Sequence, residues 1–375
     1  MKNPFVYGGV IGADAFCNRK RELADVTRAM QNGQKLFVYA ERRMGKTSLV
    51  RLALDKLPEK QWFVAYVDLW PTDGATSFAT ATAKAIAESM SSTAERMLDS
   101  AKRYFARLLP SLTVDEAGKP VITFGIRSAA EPGPELEEAL AAPARIAAER
   151  KRNVVVVFDE CQQILEYGDD MVERRLRSVI QHHKDVSYIF LGSRKHLIQR
   201  MFLDKARPLY RSAGHYPLGT IDVKDWLPFI QTRFSKARKR INNDRIRSIC
   251  GLTEGHPFYT QHLCHVLWEL CAPRFTVSED SIQSAVRVVL ERESYAYATL
   301  WESLAMNQRR FLRGLAHETG DVKPFGSRFT RRWGLRSASN AQRAVEGLLE
   351  RDVVDRANGT YTIVDRFFRI WVQRM

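Results

Sequence analysis

Two short runs hold the residue types best suited to chemistry. Ala40-Glu41-Arg42-Arg43-Met44-Gly45-Lys46-Thr47 fits the phosphate-binding pattern G-x-x-x-x-G-K-[ST], with alanine in the first glycine position. Backbone N–H groups of such a loop point at phosphate oxygens, and the helix that follows offers its positive N-terminus to the same anion. Gly45 allows close approach, Lys46 neutralises the β- and γ-phosphates, and the Thr47 hydroxyl suits a magnesium ion. The second run, 154–160, sets four valines and a phenylalanine ahead of Asp159 and Glu160. Carboxylates at the C-terminal end of a buried strand lie where α/β sheets hold ligands. Asp159 is expected to hold the shell of the metal, and Glu160 to orient and polarise an attacking water. Together the runs predict binding of ATP with Mg2+.

Chemistry of this kind needs strand, loop and helix in that order, and the flanking residues supply it. Residues 36–40 (LFVYA) read as a buried strand and 45–57 as the helix after the loop. A helix is expected over 20–30, a strand over 62–70, an Ala-rich helical stretch over 77–108, and an inserted hairpin over 113–126 around Asp115 to Pro120. The segment 131–134 (EPGP) reads as a loop, 135–151 as a helix, 187–193 as a further apolar strand and 215–218 as a weaker last one. Strands alternating with helices predict an α/β parallel sheet. Ser193 and Arg194 would end a strand between the two motif strands, where either could sense the γ-phosphate. Arg207 and Arg211 precede the last strand, and either could reach across a subunit interface to stabilise transition-state charge, or pair with a local carboxylate.

After residue 221 strand signals stop and helices dominate to about 294, with His256-Pro257 interrupting one connection. The last stretch changes grammar: helices over 304–317, 326–333 and 337–350, a hairpin over 353–363 turning at Asn358-Gly359, and a closing helix over 365–374. Three helices and a hairpin spell a winged helix-turn-helix. The expected division is an ATPase core over 1–220, a helical segment over 221–298 and the winged helix over 299–375.

Composition narrows the setting. Hydrophobic residues make up 45% and charged residues 27%, a folded rather than disordered balance. The longest apolar run, 62–67, is too short to cross a bilayer and the N-terminus lacks a signal peptide, so a cytoplasmic protein without a membrane partner is expected. Five scattered cysteines without a CxxC pair argue against a disulfide framework or zinc knuckle, and the grouping of His262, Cys264, His265 and Cys271 reads as core and surface residues of a helix. A net charge of +15 gives a field that favours a polyanion, or simply a basic solvated surface.

Several motifs in order carry a resemblance. Asn3-Pro4-Phe5, Phe16-Cys17-Asn18-Arg19 with Glu22-Leu23, Arg42 to Ser48, Phe158-Asp159-Glu160, Leu191-Gly192-Ser193-Arg194, Pro208-Leu209-Tyr210 and Gly255-His256-Pro257-Phe258-Tyr259 run along the chain. The chain resembles the archaeal-type ATPases of the STAND and AAA+ superfamily, relatives of the origin-recognition ATPases. The resemblance implies an ASCE-type P-loop sheet of order 5-1-4-3-2, a helical lid and a C-terminal winged helix. It implies that Phe16 and Arg19 lie by the adenine, that Arg43, Met44 and Ser48 complete the P-loop, and that Pro257 of the lid lies near the base. It also implies a switch whose lid and C-terminal domain shift with nucleotide state, commonly as a homo-oligomer or part of a larger complex. The alanine at position 40 departs from the pattern, which bears on turnover more than on binding.

Two functional classes follow for the C-terminal part. In one, the chain is an ATP-hydrolysing switch that assembles on double-stranded DNA. Ser339, Asn340, Gln342 and Arg343 then address base edges or phosphates while Arg331, Arg332, Arg336 and Arg356 bind phosphate. In the other, hydrolysis is slow and the winged helix docks a partner protein in a defence or signalling assembly. Ala341, Ala344, Val345, Leu348 and Leu349 supply a core face at helical spacing in either case.

Overall fold

The structure, a computed structural model, describes residues 2–90, 93–118, 120–126, 133–193, 201–318, 322–357 and 359–375. Contacts divide the chain into two compact units, Arg19–Arg42 with Lys46–Gly219, and Met1–Asn18 with Arg43–Gly45 and Thr220–Met375.

In the first of these units, the β-branched and aromatic runs form strands β1 (Lys35–Tyr39), β2 (Trp62–Asp68), β5 (Asn153–Asp159), β6 (Val186–Gly192) and β7 (Gly214–Pro217), paired in the order β2-β5-β6-β1-β7. All these pairings are parallel. Numbered without the hairpin strands, this is the expected order 5-1-4-3-2 read from the other edge. Helix α1 (Lys20–Gln31) precedes β1, and α2 (Lys46–Leu54), α3 (Ala75–Met90), α4 (Ala94–Tyr104), α5 (Gly133–Arg150) and α6 (Met171–Ile180) lie between the strands. Every residue from Val154 to Asp159 is buried, which explains why β5 reads as a continuous apolar run without alternation.

Strand side chains nevertheless alternate between faces. Val154, Val156 and Phe158 of β5 share one core with Phe37 of β1, Phe63 and Val67 of β2, and Tyr188 and Phe190 of β6. Rings file across this face, with Phe78–Phe158 centroids at 5.4 Å, Phe158–Phe190 at 5.8 Å and Phe37–Phe202 at 4.5 Å. The alternate positions, among them Tyr66 and Asp159, therefore belong to the opposite face.

The stretch 77–108, expected as one helical run, is α3 and α4 followed by a strand. Leu108 already belongs to β3 (Leu108–Val114), which pairs antiparallel with β4 (Pro120–Ile126), Leu108 facing Ile126. Pro110 pushes Leu109 towards extended backbone, and pairing with β4 carries the strand back to Leu108. Of the expected loop at 131–134, residues 131 and 132 lie outside the described set, and α5 begins at Gly133.

The second unit is helical. Helices Val223–Lys236, Asn243–Thr253, Pro257–Leu270 and Glu279–Glu302 begin after Asp222, Asn242, His256 and Ser278, and each of these caps accepts a backbone N–H in the first turn. Next come the helices Met306–His317, Ser327–Arg332 and Ala338–Glu350, strands β8 (Val354–Ala357) and β9 (Thr360–Ile363), and the helix Arg366–Gln373. This is the winged-helix succession read from the sequence; Asn358 of its expected turn lies outside the described residues.

One apolar core runs through this unit, from Phe5 past Trp226, Leu263 and Val286 to Phe311, Leu348 and Phe368. The closing helix is bound into it: Phe367 meets Tyr259 edge-on at 5.3 Å, Phe368 meets Tyr297 at 5.3 Å, and Arg366 pairs with Glu254 at 3.0 Å.

Gly255 sets the approach of the helix that starts at Pro257. Its φ is +66°, and an added Cβ would stand 2.4 Å from the Ile221 carbonyl oxygen. Gly255→Ala combines a left-handed strain with a backbone collision and should cost about 2 kcal/mol. A melting temperature several degrees below wild type is the expected outcome in a thermal denaturation series, and an unchanged one would contradict the packing described.

Candidate nucleotide-binding site

The loop after β1 is shaped by two left-handed residues, Arg43 at φ +60° and Gly45 at φ +85°. Ala40 is not among the positive-φ residues, so alanine replaces the usual glycine there without strain. At Gly45 no described atom stands within 4 Å of where a Cβ would be, leaving the backbone open to a close ligand. Met44 and Ser48 are buried.

Lys46 opens α2 and is only 6% exposed. Its Nζ donates to the carbonyl oxygens of Ala40 at 3.3 Å and Glu41 at 3.0 Å. Burial lowers its pKa to about 8, against the opposing pull of Glu160 and Asp159. Thr47, the next residue, donates from Oγ1 to Asp159 Oδ2 at 3.1 Å. The two motif runs, one through the start of α2 and one at the end of β5, thus meet at the atoms that the sequence reading assigned to one ion.

Asp159 is 8% exposed and takes further bonds from the Glu160 N–H, at 2.9 Å to Oδ1, and from the Tyr66 hydroxyl to Oδ2. Burial raises its pKa; the Tyr66 bond opposes this and the neighbouring Glu160 charge adds to it. Tyr66 is raised as well, by burial first and then by the Asp159 charge, so its phenol stays a donor.

Directly after the strand the chain turns at Glu160, whose φ of +51° is left-handed. Such a conformation costs a non-glycine residue roughly 1 to 2 kcal/mol and tends to persist at functional positions. Its Oε2 accepts from Ser193 Oγ at 2.8 Å and from Gln162 Nε2. Ser193 follows the end of β6, between the P-loop strand and β5, as expected; Arg194 lies outside the described residues. Tyr66 and Gln162 had not been singled out in sequence. Tyr66 stands two positions before Asp68, which pairs with Asp159, so alternation puts it on the Asp159 face once the register is known.

The two candidate arginines part company. Arg207 is ion-paired with the fully buried Glu173, whereas Arg211 is exposed, with φ +51° and its guanidinium 5.2 Å from the Tyr210 ring. Arg19 is buried, holding Glu22 at 3.3 Å and the Gly219 carbonyl at 2.8 Å. In the other unit, Phe16 is half-buried, Pro257 occupies the first turn of its helix, and Arg43 lies 4.3 Å over the Phe258 ring.

In the winged helix, Arg331, Arg332, Arg336, Ser339, Gln342, Arg343 and Arg356 are exposed and Asn340 is half-buried. Ala341, Ala344, Val345 and Leu348 form the buried face of the same helix. Asn340 Oδ1 accepts from Arg343 at 2.8 Å, Gln342 reaches Glu346 at 3.3 Å, and Arg332 lies 3.6 Å from Glu318.

This combination of sheet order, phosphate loop and paired carboxylates defines a P-loop ATPase joined to a winged helix. Residues 16–263 match the family described as the ATPase domain predominantly from Archaea, and residues 295–374 match a probable winged helix domain. The chain belongs to that ATPase family and is an ATP-binding protein of this type. No curated protein matches it in sequence. Among solved structures it is similar to a Walker-type ATPase of Pyrococcus abyssi, at 16% identity over 97% of both chains with a TM-score of 0.65. It is similar also to the ORC2 protein of Aeropyrum pernix in ADPNP–ADP complexes, at 13% identity over 94% of this chain and 92% of that one, TM-score 0.55. The ORC1 protein of Aeropyrum pernix in complex with DNA matches at 14% identity over 95% and 92%, TM-score 0.50. At these identities the likeness is one of fold. Among the described residues no helix is long and apolar enough to cross a membrane.

The lowered pKa of Lys46 has a measurable sign. With a free-state pKa of about 8, part of the population is neutral at mildly alkaline pH, and a bound polyphosphate would pull the proton back on. Nucleotide affinity should be flat below pH 7 and fall above about 8, by up to about tenfold per pH unit, with proton uptake on binding. Calorimetry at pH 8.5 in two buffers of different ionisation heat checks this; no buffer dependence would refute it.

Proposed function

We propose that this chain is a magnesium-dependent ATP switch that hydrolyses ATP and couples nucleotide state to assembly on double-stranded DNA through its winged helix. The observation that carries the nucleotide half is the meeting of Thr47 and Asp159 at 3.1 Å beside a Glu160 already fixed by Ser193.

The residues present fit a divalent ion at Thr47 and Asp159 and a polyphosphate at Lys46. Thr47 spends its hydroxyl proton on Asp159, so its oxygen lone pairs stay available, and the buried ammonium of Lys46 has two carbonyl partners for three donors. When bound, Mg2+ would neutralise charge on the β- and γ-phosphates. Lys46 adds the fixed positive charge and the amides of the loop cradle the phosphate oxygens. Both bonds to Glu160 fall on Oε2, which leaves Oε1 to align a water and take its proton as oxygen attacks the γ-phosphorus and ADP leaves. Arg211, exposed where Arg207 is tied to Glu173, is the arginine suited to act on a neighbouring subunit.

Support for the DNA half is the exposed Arg331, Arg332, Arg336, Arg343 and Arg356 around a helix that presents Ser339, Asn340 and Gln342, on a chain of net charge +15. Helices over 221–298 would act as the lid of this switch.

Glu160→Gln should retain ATP affinity and lower turnover by at least about a hundredfold, because the amide can still take the Ser193 bond and no longer accepts a proton. Single-turnover kinetics check this, and wild-type turnover would reassign the base. Duplex DNA affinity should fall steeply with salt, and Arg343→Ala with Arg356→Ala should reduce the slope of log K against log salt by about 2. Absent or salt-indifferent binding in that titration would leave the winged helix as a protein-docking module.

A further inference from the structure

Tyr66 lies on β2 beside β5, level with Val157 in the register. Its hydroxyl donates to Asp159 Oδ2, the same oxygen that receives Thr47, while Asp159 Oδ1 is held by the Glu160 N–H. The ring itself is placed from the other side. The Arg51 guanidinium stands 4.7 Å from its centroid, and Arg51 is one helical turn beyond Thr47 on α2. One residue of the phosphate-loop helix, Thr47, and one of a neighbouring strand, Tyr66, therefore converge on a single carboxylate, with Arg51 of the same helix backing the Tyr66 ring.

A carboxylate with donors on both oxygens is fixed about its last torsion, which is otherwise broad and soft. Thr47 supplies one donor to Oδ2 and the Glu160 N–H one to Oδ1; Tyr66 adds a second donor on Oδ2 from the β2 side, the one that holds this oxygen when the Thr47 hydroxyl turns towards an ion. We infer that Tyr66 is a positioning residue for Asp159, locking the carboxylate orientation that faces Thr47 and thereby setting how much Mg2+ nucleotide binding requires. The inference rests on the proposal that Thr47 and Asp159 hold the ion, and it assigns Tyr66 no contact with nucleotide.

Tyr66→Phe keeps the ring under Arg51 and removes only the hydroxyl. Binding of a non-hydrolysable imido analogue of ATP is titrated against Mg2+ for the wild type, Tyr66→Phe, Asp159→Asn and the double variant, with a matching series in EDTA. The expected result for Tyr66→Phe is a half-saturating Mg2+ concentration raised about tenfold, the scale of one lost charge-assisted hydrogen bond, with affinity in EDTA unchanged. Adding Tyr66→Phe to Asp159→Asn should then change little, because the phenol acts through that carboxylate. If Asp159→Asn raises the Mg2+ requirement and Tyr66→Phe leaves it unchanged or lowers it, the positioning role is overturned on its own. If Asp159→Asn itself has no effect, the metal assignment fails and this inference with it. A loss of EDTA affinity equal to the loss in Mg2+ would also overturn it, since that marks a general structural defect.

Discussion

Burying an ammonium and a carboxylate in the same place, without joining them directly, is the constraint on which this molecule's chemistry depends. Lys46 and Asp159 are both nearly inaccessible, and burial pushes each towards its neutral form, the lysine down to about 8 and the aspartate upwards. Charges taken out of water need partners, and here the partners are mostly dipoles: two loop carbonyls for the ammonium, two hydroxyls and one N–H for the carboxylate. Such a site is poised rather than satisfied. On the function proposed above, a ligand with dense negative charge and a cation would complete it, and discrimination would arise because nothing weaker compensates the desolvation.

The sheet is what makes that arrangement affordable. Aromatic rings from Phe37, Phe158, Phe190 and Phe202 fill one face, while positions of opposite parity carry Tyr66 and Asp159 towards the α2 side. A shift of register by one residue would exchange the faces, putting the carboxylate into the ring file and Phe158 at the ligand. The apolar face thus fixes the polar one, and the rigidity of a β5 buried along almost its whole length passes directly to Asp159.

Much of this was legible because the signals are local. VVVVFDE announces a buried strand that ends in two acids, and GKT after LFVYA announces a phosphate loop. The parallel sheet and its order agree with the family resemblance, and so does the winged helix. What was not legible is pairwise and distant. Tyr66 reads as one more residue of an apolar strand, since its partner lies 93 positions away. Arg207 looks as free as Arg211 until a buried Glu173 is found beside it. The start of β3 was hidden because an Ala-rich stretch upstream suggested helix, and Pro110 constrains only Leu109 directly, while the pairing of Leu108 with Ile126 is distant in sequence.

The continuous core of the helical unit has an architectural corollary. Phe5 near one end of the sequence and Phe367, Phe368 and Val372 near the other are buried in the same apolar mass, with Tyr259 and Tyr297 between them. The winged helix is in this sense not a bead on a string. Severing it near residue 299 would bare the aromatic faces of Tyr259 and Tyr297 and strip Glu254 of two arginines at once, Arg366 and Arg369. Evolutionary exchange of this C-terminal segment for another must therefore carry its closing helix along, or rebuild the wall against which it rests.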